Sequence, residues 1–367
     1  MGTALATPAV AAQAPGGAAG GHSATGKALD ALVDQGVPGV IARVEDGDDT
    51  WRATVGVADR TTGRARGTQD RYRVGSLTKT FVATVLLQLE AEGRVDLDDT
   101  VETYLPGVVR GHGNDGRGIT VRQLLNHTSG IYNYTSDPGF ERQVFGDGFF
   151  EHRYDTWTPR QLVALATTHA PEFDPGTDWS YSNTNYILAG MIVEKVTGRS
   201  YGAEIERRIL RPLGLRATSV PTTDPTMPRP AGRAYSKLGE ESATAPVHDV
   251  TELNPSAAGA AGAMISNPAD LNRFYGALLK GALLPRKQLK EMMTVAPPSV
   301  YGSFAYGLGL GRSTLSCGAV VWGHGGGIHG SSSRSAVTGD GGHALSMNLN
   351  GDWTGDAEAT VEAEFCG

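Results

Sequence analysis

The sequence predicts a mixed α+β fold, an α/β sandwich in which one antiparallel sheet, flanked by helices, is built from both chain ends. A mainly helical segment is inserted between them. Two observations carry this expectation. β-rich segments occur at residues 39–57 and again at 306–349, whereas the chain between them reads as helices punctuated by Gly, Asn and Pro. No internal repeat interrupts that pattern. The implied division is a tail at 1–26, a sheet unit made of 27–74 and 258–367, and a mainly helical unit at 75–257.

The tail is rich in Ala, Pro and Gly, and Ala11-Ala12-Gln13-Ala14-Pro15 resembles the small-residue end of an export signal. Secretion is therefore expected, and a disordered tail is compatible with it. Residues 39–44 and 51–57 read as a hairpin joined by Glu45-Asp46-Gly47-Asp48. Ser76 follows Gly75 and opens an amphipathic run, with Phe81, Val82, Val85, Leu86 and Leu89 on one stripe and Gly93 as its C-terminal cap. A second helix is expected at 186–196, stopped by Gly198. Residues 221–231, with four prolines, read as a surface loop. A helix at 268–279 follows, then β-type segments at 306–310, 320–322 and 344–349.

Composition excludes some functions. Of 367 residues 40% are hydrophobic and 19% charged, the balance of a globular enzyme. A net charge of −7 with no Lys/Arg run gives no phosphate-binding surface, so nucleic acid is not an expected partner. No stretch reaches the roughly 18 apolar residues of a membrane helix, so no span is expected. The two cysteines, Cys317 and Cys366, have no metal-ligand neighbours. They read as a disulfide pinning the C-terminus, worth roughly 4 kcal/mol on the chain-entropy model. Two buried free thiols are the alternative.

Three segments can carry chemistry. In Ser76-Leu77-Thr78-Lys79 the lysine sits one helical turn from the serine, where an amine can take the hydroxyl proton. The helix start adds a backbone N–H for a developing oxyanion. Tyr181-Ser182-Asn183 precedes a helix, with the phenol as a proton shuttle and the amide as a ligand for substrate or Lys79. Each of these two segments also has a plain reading as a helix cap. In Gly323-His324-Gly325-Gly326-Gly327-Ile328-His329-Gly330 the glycines let a second backbone approach, as a substrate lying along a strand edge would. A tight turn is the simpler reading. Zinc at His324 and His329 lacks both an HExxH pattern and a helping carboxylate, so no metal and no cofactor are expected. Gly198-Arg199-Ser200-Tyr201-Gly202 has the spacing of a nucleophile elbow, but Gly198 ends a helix where that motif needs a strand.

Taken in order, Ser-x-x-Lys, Tyr-x-Asn and His-x-Gly resemble the penicillin-recognising serine hydrolases, in the branch of class C β-lactamases and D-alanyl-D-alanine carboxypeptidases. "YRVGSLTKTF", "LLQLEAEGRVDLDDTV", "ITVRQLLNHTSGIY", "YSNTNY", "GMIVEKVTG" and "YGLGL" are similar to secreted actinomycete D,D-peptidases from about residue 28 onward. The resemblance implies the β-lactamase/transpeptidase-like fold. It implies Ser76 as nucleophile, Lys79 as its base, Tyr181 as proton relay and His324 beside Tyr181. Asn183 would bind the substrate amide, and the N–H groups of Ser76 and Gly327 would form the oxyanion hole. Substrate would lie along Gly325, Gly326 and Gly327. Cysteines resembling Cys317 and Cys366 accompany the family pattern.

The departures from the family shape the expected specificity. Carboxypeptidase relatives carry an arginine where this chain has Gly311, and threonines where it has Gly325 and Gly327. That trio grips the substrate's terminal carboxylate, so its loss points away from free-carboxylate substrates. Arg312 and Arg334 are the substitutes at hand. The implied activity is a D-stereospecific amidohydrolase or D-aminopeptidase acting on small amides, esters or peptides with a D-residue on the acyl side. Amines would serve as acyl acceptors and β-lactams as inhibitors. A D-alanyl-D-alanine carboxypeptidase, an esterase, a β-lactamase, a peptide cyclase and a catalytically silent sensor are the alternatives. The last is disfavoured because every catalytic position is filled. Asp137, Asp249 and Glu252 are candidate partners for a substrate amine.

Overall fold

Alternation along the first hairpin decides how the sheet is covered. Val40, Ala42 and Val44 point into one apolar cluster, while Ile41 points into another on the opposite face. A computed structural model describes residues 21–296 and 303–367. The expected export-signal remnant at residues 11–15 lies outside these.

The seven-stranded antiparallel sheet comprises β1 (Gly39–Asp46), β2 (Asp49–Gly56), β3 (Phe304–Tyr306), β4 (Gly311–Thr314), β5 (Val320–Ile328), β6 (Ser331–Thr338) and β7 (His343–Leu349). Their order is β2-β1-β7-β6-β5-β4-β3, so the two chain ends meet where β1 pairs with β7, Val40 opposite Leu349. Helices α1 (Ser23–Asp34) and α5 (Ala357–Cys366) cover one face, packed on Leu345, Met347 and Leu349. Cys366 at the end of α5 is bonded to Cys317 just before β5. Helix α4 (Pro268–Leu279) lies on the other face. Beyond it stand α2 (Thr78–Ala91) and α3 (Asn183–Thr197), packed together.

Several expectations are corrected. Helix α1 begins inside the segment assigned to the tail. Helix α2 is not amphipathic: residues 78–87 and Leu89 are all buried. Its polar positions turn inward and bond to backbone, as Thr80 Oγ1 does to Gly309 O at 2.7 Å. Its C-terminus is nevertheless the expected one, with Gly93 at φ 68° and Arg94 N–H reaching back to Leu89 O. Helix α3 starts at Asn183 rather than near 186. Residues 307–310 are not a strand but the turn joining β3 to β4, closed by Gly307 N–H on Leu310 O.

Candidate active site

Ser76 sits in a single 3₁₀ turn, Gly75–Leu77, that leads into α2. Lys79, in the first turn of that helix, is 0% exposed. Its Nζ lies 2.9 Å from Ser76 Oγ, 2.7 Å from Asn183 Oδ1 and 2.8 Å from Ala261 O. All three partners are neutral, and burial holds the amine well below its usual pKa. With two N–H groups donated to the carbonyl oxygens of Asn183 and Ala261, the lone pair of a neutral Lys79 faces the Ser76 hydroxyl. Such an amine is a base for serine. Asn183, the first residue of α3, is held in turn by Thr135, whose Oγ1 accepts from Nδ2 at 3.1 Å.

Tyr181 closes the other side of the amine. Its ring centroid lies 4.8 Å from Lys79 Nζ. Burial pushes the phenol above its usual range, and the nearby Ser76 hydroxyl pulls it partway back. His324 does not bond Tyr181; their ring centroids are 6.4 Å apart. Its Nε2 meets Tyr306 Oη at 2.7 Å, and its Nδ1 faces Gly325 O. With Nδ1–H donating to that carbonyl, Nε2 accepts the tyrosine proton. Burial takes the imidazole pKa down to about 3, so it is neutral.

The glycine-rich segment is strand, not a tight turn. Strand β4 pairs with β5 only as far as Gly323, so the edge of β5 beyond it is left open beside Ser76. Two glycines permit that approach. A Cβ on Gly75, whose φ is +55°, would stand 2.9 Å from Gly327 N, and one on Gly326 would stand 2.0 Å from Val74 O and 3.0 Å from Ser76 N. Around Gly327 itself there is open space. The structure thus brings Ser76, Lys79, Tyr181, Asn183, His324 and Gly325–Gly326–Gly327 to one place.

Two residues that the sequence left unassigned support this site. Tyr306 opens the YGLGL segment and fixes the His324 ring. His127, from the NHTSG segment, is fully buried at φ 63°. Its Nδ1 accepts from Ser182 N–H at 3.2 Å and lies 3.1 Å from Asn185 Nδ2, and its ring packs 4.3 Å from that of Tyr181. It anchors the loop that presents Tyr181. His329 points elsewhere, onto Val144 O between the rings of Phe145 and Phe149. Ser200 caps a short helix by accepting from Ala203 N–H.

Two depressions meet at Ser76. One, of about 690 Å³, has walls of Tyr134, Phe145, Phe149, Trp157, Leu253 and Ile328, with Asp155 as the carboxylate in its lining. The other, of about 1190 Å³, is bounded by Tyr181, the glycines of β5, Phe304, Gly311, Arg334 and Glu358. A Cβ on Gly311 would stand 2.8 Å from Phe304 Cε2, so the phenyl ring occupies the space a side chain there would need. Arg334 is bound to Glu358 at 2.6 Å, and Arg312 is absent from the lining. The candidate amine partners are engaged elsewhere: Asp137 by its own helix start and His169, Asp249 by Arg233, and Glu252 by Tyr154.

Comparison with known proteins agrees with this architecture. The β-lactamase family model matches residues 24–363. Penicillin-binding protein 4 of Amycolatopsis lactamdurans is 30% identical over 83% of this chain and 74% of its own. The chain spans 63% of the length of a Bacillus subtilis penicillin-binding relative. Among solved structures, a D-stereospecific amidohydrolase from Streptomyces sp. is 62% identical, with a TM-score of 0.89 over 94% of this chain and 99% of that one. The D-amino acid amidase of Ochrobactrum anthropi SV3, solved with D-phenylalanine, is 29% identical, with a TM-score of 0.80 over 94% of this chain and 97% of that one. By the extent of that family match, this chain belongs to the β-lactamase family.

Proposed function

We propose that this protein is a serine hydrolase that forms an acyl-enzyme on Ser76 from D-aminoacyl amides, esters or peptides and passes the acyl group to water or an amine. The observation that carries the reading is the Lys79 amine held between Asn183 Oδ1 and Ala261 O and turned toward Ser76 Oγ. Lys79 takes the Ser76 proton as Oγ attacks the carbonyl carbon. Tyr181 hands a proton to the leaving nitrogen or oxygen, and the N–H groups of Ser76 and Gly327 receive the oxyanion. The aromatic-walled pocket takes the acyl side chain. Asp155, which also bonds His152 Nδ1 at 2.8 Å, is the carboxylate in the lining of that pocket and meets the substrate ammonium in place of Asp137, Asp249 and Glu252.

The glycine edge of β5 takes the leaving group. With Phe304 in the space beside Gly311 and Arg334 committed to Glu358, a leaving group bearing a carboxylate finds no unpaired cation among the described residues of that lining. Amides and esters avoid that penalty. The D-stereospecific amidohydrolase and D-amino acid amidase relatives support the D-side assignment, and the penicillin-binding relatives support β-lactams as inhibitors. The Cys317–Cys366 bond supports a life outside the cell, where disulfides persist.

The test is mass spectrometry after incubation with a D-phenylalanyl ester and with a β-lactam. One peptide, containing Ser76, should gain the acyl mass. Ser76→Ala should lose both label and turnover, and Ser200→Ala should keep them. Label on any other serine, or equal turnover of D- and L-phenylalanyl amides, overturns the reading.

A further inference from the structure

A third, small cavity shares no lining residue with either depression at Ser76. Its walls include Arg66, Arg71, Tyr72, Arg73, Ser331 and Asn348. Arg66 is 4% exposed; its Nη2 donates to Asn348 Oδ1 at 3.0 Å, while Nε and Nη1 have no protein partner. Arg73 is 3% exposed; its Nη2 donates to Pro225 O and Leu253 O, while Nε and Nη1 are likewise unpartnered. Arg71 Nε and Tyr72 Oη add two further buried donors without a protein acceptor.

Among the described residues, these groups are supplied with neutral oxygens and no bonded countercharge. Asp70 acts on Arg66 through space but is hydrogen-bonded to Arg64 and to Gly67 N–H. Asp224 and Glu252 act on Arg73 in the same distant way, and their hydrogen bonds go to Thr226 and Tyr154. Arg233, also in the lining, is already matched by Asp59 and Asp249. Burial lowers both Arg66 and Arg73 to about 10, so each remains cationic at neutral pH. Water can satisfy spare N–H groups, but it cannot balance charge. A buried cation needs a countercharge.

We propose that this cavity is a binding site for a small inorganic anion, held by the unpartnered donors of Arg66, Tyr72 and Arg73. Its enclosed space, about 20 Å³, has room for one water-sized sphere, which suits a small ion rather than a substrate. The site sits behind the nucleophile. Arg73 lies in the segment that runs into Gly75 and Ser76, and its carbonyl accepts from Ser331 Oγ at 2.7 Å on β6. The bound anion therefore braces the chain leading to Ser76 against the sheet and takes no part in the chemistry.

Bromide is the probe. Crystals grown in bromide should show an anomalous peak inside the cavity, within hydrogen-bond distance of an Arg66 or Arg73 nitrogen. In solution, Tm at fixed ionic strength and pH should rise by a few degrees when gluconate is replaced by chloride, because a ligand that binds only the folded state stabilises it. Arg66→Met should flatten that dependence. If the variant does not fold, the wild-type measurements decide alone. No peak in the cavity overturns the proposal. So does a peak with no difference between chloride and gluconate, which marks an adventitious ion only.

Discussion

On one flank of Ser76 the chain sets aromatic and aliphatic side chains in a wall; on the other it withdraws side chains and leaves a bare strand edge. Most of the wall comes from scattered loops and short helices of the inserted segment, with Ile328 added from the end of β5. The bare side is β5 of the main sheet, and its glycines let backbone come to backbone. The first arrangement recognises a group by its shape and apolar area. The second holds a chain by hydrogen bonds that ignore side-chain identity. Selectivity on this reading belongs to the acyl half of the substrate, and tolerance belongs to the leaving half.

The chemistry shared by both flanks gives the largest expected effect. Lys79→Arg should cut kcat by about 10³-fold, in the range for loss of a positioned base, because guanidinium stays protonated. Wild-type kcat/KM should fall on acidification as Lys79, whose pKa is lowered from 10.5 by burial, takes up a proton. His324 is neutral above about 3, so it should add no limb of its own near 6.5. A limb there that vanishes in His324→Gln would restore a titrating role to this histidine and break the present account. Either result is read from initial rates between pH 4 and 10, a range set by the ordinary limits of protein titration.

The acyl wall comes next. Phe145→Ala removes a ring stacked on His329 at 4.8 Å and opens the pocket. We expect kcat/KM for D-phenylalanyl amide to drop roughly tenfold to hundredfold, as lost burial of an aromatic group implies. For D-alanyl amide the change should stay within about threefold, since a methyl group never reaches that ring. Equal losses on the two substrates would mean that the ring supports the fold and not the choice of side chain.

How much of this was readable from sequence differs between the flanks in the same way. The catalytic groups lie in short segments with fixed local spacing, and the structure brings Ser76, Lys79, Tyr181, Asn183 and the β5 glycines together. The sheet was legible where apolar residues alternate, as in β1 and β7. It was not legible in β6, whose Ser331–Thr338 sequence lacks apolar alternation. That strand is central and buried, and its serines bond inward, Ser335 to Ser346 and Ser331 and Ser333 to Asn348. Tyr306 escaped assignment because its partner, His324, lies on a different strand. The acyl wall had no signature at all, because Tyr134, Phe145, Trp157 and Leu253 converge only in three dimensions. Asp155 was missed for the same reason, while Asp137, Asp249 and Glu252 were singled out without their partners in view.

The smallest expected effect lies on the bare flank, where the sequence and the structure make different demands. Sequence comparison alone proposes restoring a carboxylate grip with Gly311→Arg, Gly325→Thr and Gly327→Thr. The structure accepts the two threonines, since nothing lies within 4 Å of a Cβ at Gly327 and only Ser333 O, at 4.0 Å, is near one at Gly325. It resists the arginine, whose Cβ would stand 2.8 Å from Phe304 Cε2. Gly311→Arg should therefore bring no gain while Phe304 is in place, even with both threonines. Adding Phe304→Ala frees that space, and the quadruple variant should gain about threefold to tenfold in kcat/KM on D-alanyl-D-alanine peptides, an increment of the size one ordinary hydrogen bond supplies, since part of the charged contact is spent on desolvating the new guanidinium. The gain should be absent for the corresponding amides, which offer no charge to bind. Residues in one network do not add independently, so the comparison that matters is the triple variant against the quadruple one. If the triple variant already gains as much, Phe304 yields without cost and is not what keeps carboxylates out.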